Sequence, residues 1–385
     1  MKRSMTFTCL LAALCACTVL DSAAQTAPET QSTTSPVAYV YVSSPSPNSY
    51  GLIYGYSASS NGQLTPLTNP TYPAYVSYMA LNGAWLFGSD GTNIYSFSIA
   101  SDGTLSQTAA INATQYNPYD SGGPYDLFLD HTGATLYDGD IYAYGTGDSA
   151  YQAFSIDQSS GQLTFLQLGP DGGELQGARM SFTGNNKYAY SSGCYEGDPQ
   201  IFGYERNSDG TLTSLNINPK IPPASGTGNY YCPYLAAADP NNHVAVALTL
   251  FNFLSQAGPP QLAVYTQQSN GNLTTNSTEA NMPKTQVTAI TDFWMSPSGN
   301  LLAVAGTGGL QVFHFNGANP ITRYTGLLTK DEIDQVFWDN NNHLYALSRP
   351  AGKLYVFTVT PTTHSQAPGS PYTIANPQNV IVLPK

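Results

Sequence analysis

Charge is what this sequence has least of: Asp, Glu, Lys and Arg together make up 9% of its 385 residues, and only 12 of them are basic. With 24 acidic residues the net charge is −12, so there is no basic face to neutralise phosphates and nucleic acid is not an expected partner. Cysteine is almost as scarce. Of the five, Cys9, Cys15 and Cys17 fall in the first 24 residues, which leaves Cys194 and Cys232 as a single possible pair. Beyond residue 24 no apolar run approaches bilayer-spanning length, and no transmembrane segment is expected. Apolar residues never recur at helical spacing over a useful length, which argues against a helical fold. Glycine-rich phosphate loops, nucleophile elbows and zinc-ligand spacings are absent as well.

The N-terminus carries its own signal. Lys2 and Arg3 precede an uncharged stretch from Ser4 to Leu20, and Ser22-Ala23-Ala24 offers small residues for cleavage, so residues 1–24 read as a secretory signal peptide. A rival reading is lipoprotein anchoring through Cys17, since Leu14-Cys15-Ala16-Cys17 loosely follows a lipobox. Residues 25–36 are rich in Thr, Ser, Pro and Gln and read as a disordered leader. The expected location is outside the cytoplasm, periplasmic or extracellular, where a disulfide can persist.

What the chain does have is repetition. An aromatic strand running into a polar turn and Gly-x-Leu appears at Tyr56 with Asn61-Gly62-Gln63-Leu64, and again at Phe97 with Asp102-Gly103-Thr104-Leu105. Phe154, Tyr204 and Tyr265 carry further copies, and degenerate ones follow Phe313 and Phe357. Asn-Gly and Asp-Gly are strong hairpin turns because both central residues tolerate positive φ. Between the hairpins lies a second unit of two strands and a tight turn, so each period holds four strands. Seven such periods predict an all-β, seven-bladed β-propeller with four-stranded antiparallel blades over residues 37–385. A β-sandwich is the alternative, but it does not repeat seven times. The first blade lacks an innermost strand, whereas Asn379-Val380-Ile381-Val382-Leu383 is spare at the C-terminus. Pairing the N- and C-terminal strands closes the ring.

Lettering the strands of each blade A to D from the axis outward places the A-to-B and C-to-D turns on one face. The B-to-C and D-to-A loops, which include every long insertion, share the other, and long loops on one rim of a rigid scaffold mark a binding side. That register brings Arg179, Glu196, Asp126 and Asp292 to the long-loop rim as candidate catalytic groups. Tyr125, Tyr234, Asp334 and Arg349 join them as candidate ligand-binding groups. His131, His243 and His343 fall at A-to-B turns on the opposite face, and His314 and His364 lie further out, so imidazole base catalysis on that rim is not expected. Cys194, in the B-to-C loop of blade 4, and Cys232, at the connection into blade 5, sit on adjacent blades of the same face and are expected to pair.

The run Gly123-Pro124-Tyr125-Asp126-Leu127-Phe128-Leu129-Asp130, echoed from Pro233 to Asn242 and from Thr291 to Gly299, resembles the strand motif of the seven-bladed lactonase family. Bacterial 6-phosphogluconolactonases and fungal carboxymuconate cyclases belong to that family. Tyr39-Val40-Tyr41-Val42-Ser43 and the Asp-Gly-Thr-Leu turns are also similar to the Tyr-Val-Thr-Asn repeat propellers of surface layers. The resemblance implies a seven-bladed propeller and activity from Arg, His and Glu at the channel mouth. Arg179 matches the arginine of that motif, Met180 stands where its histidine would, Tyr125-Asp126 replaces the corresponding pair elsewhere, and Glu196 is the stand-in for the glutamate.

Two functions follow as expectations. One is an exported binding or interaction platform whose long-loop face, rich in tyrosines such as Tyr116, Tyr119, Tyr125, Tyr142 and Tyr144, holds a carbohydrate, another small molecule or a protein. The alternative is a carboxylic-ester hydrolase acting on a lactone, with Arg179 as anchor and an acidic residue as base. A deep mouth holding Arg179 beside a buried carboxylate favours the enzyme, and a flat tyrosine-lined rim the platform. No cofactor is expected and no metal site assigned. Asp138-Gly139-Asp140 with Asp148, and Asp331-Glu332 with Asp334, supply oxygen ligands of the kind Ca²⁺ takes, without the spacing of a known loop.

Overall fold

The computed structural model of the protein describes residues 35–45, 51–116, 124–140, 149–173, 179–195, 198–253 and 255–385. The expected signal at 1–24, with Cys17, and most of the leader at 25–36 lie outside the described residues. The alternating runs between turn signals form antiparallel sheets of four strands joined in chain order, and there are seven of them. Blade 2 shows the plan: Tyr78–Leu81, Trp85–Ser89, Asn93–Ile99 and Leu105–Asn112 run from axis to rim. Blades 5 and 7 each add one short strand, Ser255–Gln256 and Tyr372–Thr373.

The innermost strands, A in each blade, are Asn379–Pro384 for blade 1, then Tyr78–Leu81, Pro124–Leu129, Ser181–Phe182, Asn229–Ala238, Ala289–Met295 and Gln335–Trp338. Blade 1 is completed across the chain ends, with Ala38 opposite Pro384 and Ser43 opposite Asn379. The ring is therefore closed by the pairing of N- and C-terminal strands. Every residue of Ala38–Ser44 is buried, which removes the free edges an open sheet would leave.

Side chains explain why the Gly-x-Leu hairpins repeat. In six of the seven blades the C-to-D turn packs on the first residues of strand B in the preceding blade. Gly103 lies against Tyr39, Gly161 against Trp85, Gly210 against Thr135, Gly271 against Tyr188, Gly317 against His243, and Gly62 of blade 1 against His343 of blade 7. The glycine is needed twice over at Gly161: its φ is +72°, and a Cβ there would sit 2.4 Å from the Trp85 ring. Three tyrosines complete the seam. Tyr41, Tyr137 and Tyr190 each donate from the hydroxyl to the carbonyl of the next blade's turn glycine, at 2.7, 2.7 and 2.8 Å. Burial pushes all three phenols up from their ordinary pKa.

This seam also accounts for two of the histidines. His343 is fully buried and its Nδ1 lies 2.7 Å from Asp339, while His243 makes the same 2.8 Å contact to Asp239. Both aspartates also accept backbone N–H groups of their own A-to-B turns. These imidazoles brace turns on the short-turn face.

Candidate functional site

The site residues are organised by one recurring backbone bond. At the A-to-B turn of every blade an amide donates to the first residues of strand B: Asn82 to Trp85, Asp130 to Thr135, Thr183 to Tyr188, Asp239 to His243, Ser296 to Leu301, Asp339 to His343, and Lys385 to Val37. Counting four residues back from each donor gives one structurally equivalent position per blade. The ring so defined is Ile381, Tyr78, Asp126, Arg179, Leu235, Asp292 and Gln335, in blade order. Three of the four candidate catalytic residues therefore share one layer of the channel. Two of their strands carry β-bulges here, between Pro124 and Leu127 and between Ile290 and Asp292, and a third falls between Pro233 and Leu235, at Tyr234. Bulges re-aim side chains and often do so beside sites.

Arg179 is held from two sides. Its Nη2 donates to Asp292 Oδ1 at 2.8 Å, and its guanidinium carbon sits 4.2 Å from the centre of the Trp294 ring. Trp294 in turn meets Phe337 at 5.1 Å between ring centres, the two rings tilted by 48°. Asp292 is fixed by the amides of Phe293 and Val336, both at 2.8 Å, so it serves chiefly to position the arginine. Burial pulls the Arg179 pKa down, but the Asp292 and Asp126 carboxylates outweigh it and the net shift is upward. Its side chain still keeps 20% exposure, enough for a ligand to reach it.

Asp126 is the group whose chemistry the site changes. Withdrawal from water raises its pKa, the nearby positive charge of Arg179 opposes this, and the negative charge of Asp292 adds to it; the result is a carboxyl near 6. An Arg179 backbone hydrogen bond and the charge of Arg349 also favour the ionised form. By exposed area the residue is only partly withdrawn from the surface, yet burial is the largest cause of its shift. A carboxyl poised near neutrality can take and return a proton at physiological pH.

A cavity of about 590 Å³ runs along the axis and is lined by strand A of all seven blades. It extends from Asp126 and Arg179, past Trp294, Phe337, Leu81, Leu129 and Ala238, to His131, Pro240, Pro297 and Asn340 at the short turns. Among the described residues the pocket thus leads from the charged layer toward the short-turn face, where the sequence places histidines, His131 among them, but no candidate site residue. Trp294, Gln335 and Tyr78 were missed. Counting back from each A-to-B turn would have found the last two.

The other candidates are accounted for in turn. Asp334 accepts the Arg349 amide at 2.7 Å, and Arg349 Nε donates to the Gln378 carbonyl at 2.8 Å. Tyr234 is half exposed. Glu196 lies outside the described residues, as does the Tyr125 side chain. Cys194 and Cys232 are joined in a disulfide with a Cα–Cα separation of 5.3 Å. Tyr116 stacks on Phe165 at 4.2 Å, whereas Tyr119, Tyr142 and Tyr144 are outside the described residues. Of the calcium candidates, Asp331 is occupied by Lys353 and Tyr355, while Asp148 and the Asp140 side chain are outside that set. No cluster of three metal-ligating side chains occurs among the described residues, and no helix there is long and apolar enough to cross a membrane.

The fold can be compared with solved structures. A Bacteroides fragilis protein provisionally described as a 6-phosphogluconolactonase matches with a TM-score of 0.66 and 16% identity, over 91% of this chain and 99% of that one. The likeness is one of fold. The periplasmic gluconolactonase of Pseudomonas aeruginosa matches at 0.64 and 14%, over 90% and 99%, and a Lactobacillus plantarum protein at 0.62 and 15%, over 91% and 100%. No family model matches the chain, and no curated relative does.

Proposed function

We propose that the protein is a carboxylic-ester hydrolase that opens a lactone in the central channel. The observation that carries this reading is the Asp126–Arg179–Asp292 layer, in which an anchored guanidinium stands beside a carboxyl raised to about 6. Asp126, as the carboxylate, takes a proton from water while the water oxygen attacks the lactone carbonyl carbon. Arg179 offers N–H donors to the oxygen on which negative charge develops. Collapse breaks the ring C–O bond, and the proton on Asp126 passes to the departing alkoxide, giving a hydroxy acid and restoring the carboxylate. The fold shared with a gluconolactonase supports the reaction class. That neighbour's periplasmic location and the basic, then apolar N-terminus of this chain support export.

A panel of γ- and δ-lactones followed by proton release tests the reading. Turnover that falls at least a hundredfold in Asp126→Asn and in Arg179→Ala, both still folded, is the expected result. Turnover unchanged in both would refute it. The platform reading retains one specific support, the exposed Tyr234 and Phe253 of blade 5, and predicts instead binding that Tyr234→Ala abolishes without any turnover.

A further inference from the structure

We propose that the substrate is an uncharged lactone with a hydrocarbon substituent, its ring at the Asp126–Arg179 layer and its tail lying along the channel toward the short-turn face. This inference rests on the lactonase reading and adds the substrate class to it. Two observations carry it. The first is the sign of charge around the reacting layer. Asp126 and Asp292 stand against Arg179, whose guanidinium is already engaged by Asp292 and Trp294, and the cavity lining adds Asp130 and Asp239 but no second Arg or Lys. A phosphate or second carboxylate on the substrate would meet no arginine or lysine in the lining beyond the one that serves the reacting carbonyl, and an excess of negative charge, so a charged lactone is disfavoured.

The second is the apolar wall next to the charged layer along the axis. Two residues further toward the short turns in blades 6 and 7 come Trp294, under the guanidinium, and Phe337, in tilted contact with Trp294. One residue further still in blades 2, 3 and 5 come Leu81, Leu129 and Ala238, partly exposed and lining the cavity. The wall beyond the reacting layer is thus aromatic, then aliphatic, and the cavity is of a size that holds a small ligand, within the range of about 300–1,000 Å³ usual for such pockets. Hydrophobic transfer into such a wall favours each added methylene roughly three- to fourfold.

The test is kcat/KM for δ-lactones bearing no side chain, a butyl and an octyl group, beside a phosphorylated sugar lactone, with lactams of the same tails as non-hydrolysable ligands followed by Trp fluorescence and by thermal shift. Expected are a rise of roughly three- to fourfold per methylene until the channel is full, the same trend in lactam affinity, and a flattened trend in Leu129→Gln. Preference for the phosphorylated lactone with no tail dependence would overturn the substrate class and leave lactone hydrolysis standing. Absence of all turnover would overturn the hydrolase reading, and lactam affinity that ignored the tail would overturn this inference whether or not turnover occurs.

Discussion

Asp126 is a residue whose charge the folded protein opposes, and that has a measurable sign. A carboxyl raised from 3.8 to about 6 on folding binds its proton more tightly in the native state. Stability is therefore full below the unfolded pKa and declines as pH climbs through 6, by at most about 3 kcal/mol. Asp126→Asn removes that decline. Its melting temperature is expected to exceed wild type at pH 7.5, with the gap closing toward pH 4; a gap of equal size at both values would show that Asp126 ionises normally. Glycine at 161 makes the opposite kind of claim. Gly161→Ala forces a side chain into positive φ and onto Trp85, so it should lose about 2–4 kcal/mol in denaturant unfolding. A loss below about 0.5 kcal/mol would refute the blade seam as a stabilising contact.

At the scale of elements, the hairpins were legible because turn chemistry is local: Asn-Gly and Asp-Gly announce positive φ wherever they occur. What those glycines touch was not legible, since Trp85, Tyr188 and His343 belong to a different blade from the glycine they cover. Strand A of blade 4 is only Ser181–Phe182, too short for an alternating pattern of its own, so Arg179 was placed by the register of the repeats and then matched by the family motif. Trp294 reads as ordinary core from sequence, and only packing reveals it as the surface under the guanidinium. The disulfide was legible by elimination and ties strand B of blade 4 to strand A of blade 5. Closing a loop of 38 residues, it contributes roughly 3–4 kcal/mol in the chain-entropy account. The double variant Cys194→Ser with Cys232→Ser should unfold correspondingly earlier in urea; an unchanged midpoint under non-reducing conditions would mean the bridge does not stabilise.

For the whole molecule, closure and channel belong together, since the strand that completes blade 1 also lines the cavity through Ile381, Val382 and Pro384. Deleting residues 378–385 exposes the edges of strands 38–44 and removes one wall of the channel. It also takes away the carbonyl that holds Arg349 and the Val380 amide that binds Gln335. The truncated chain is expected to aggregate in size-exclusion chromatography; a monomer of unchanged melting temperature would contradict ring closure.

The central claim, that the channel hydrolyses lactones with Asp126 as base, is met most directly by the pH dependence of kcat/KM, corrected for spontaneous hydrolysis. A base active as its carboxylate gives a rate that rises with pH and levels off above an apparent pKa near 6. Asp126→Asn should lower the plateau at least a hundredfold and remove the inflection. A profile of the same shape and height in the variant, or one with no inflection between about pH 5 and 7 in the wild type, would contradict the account.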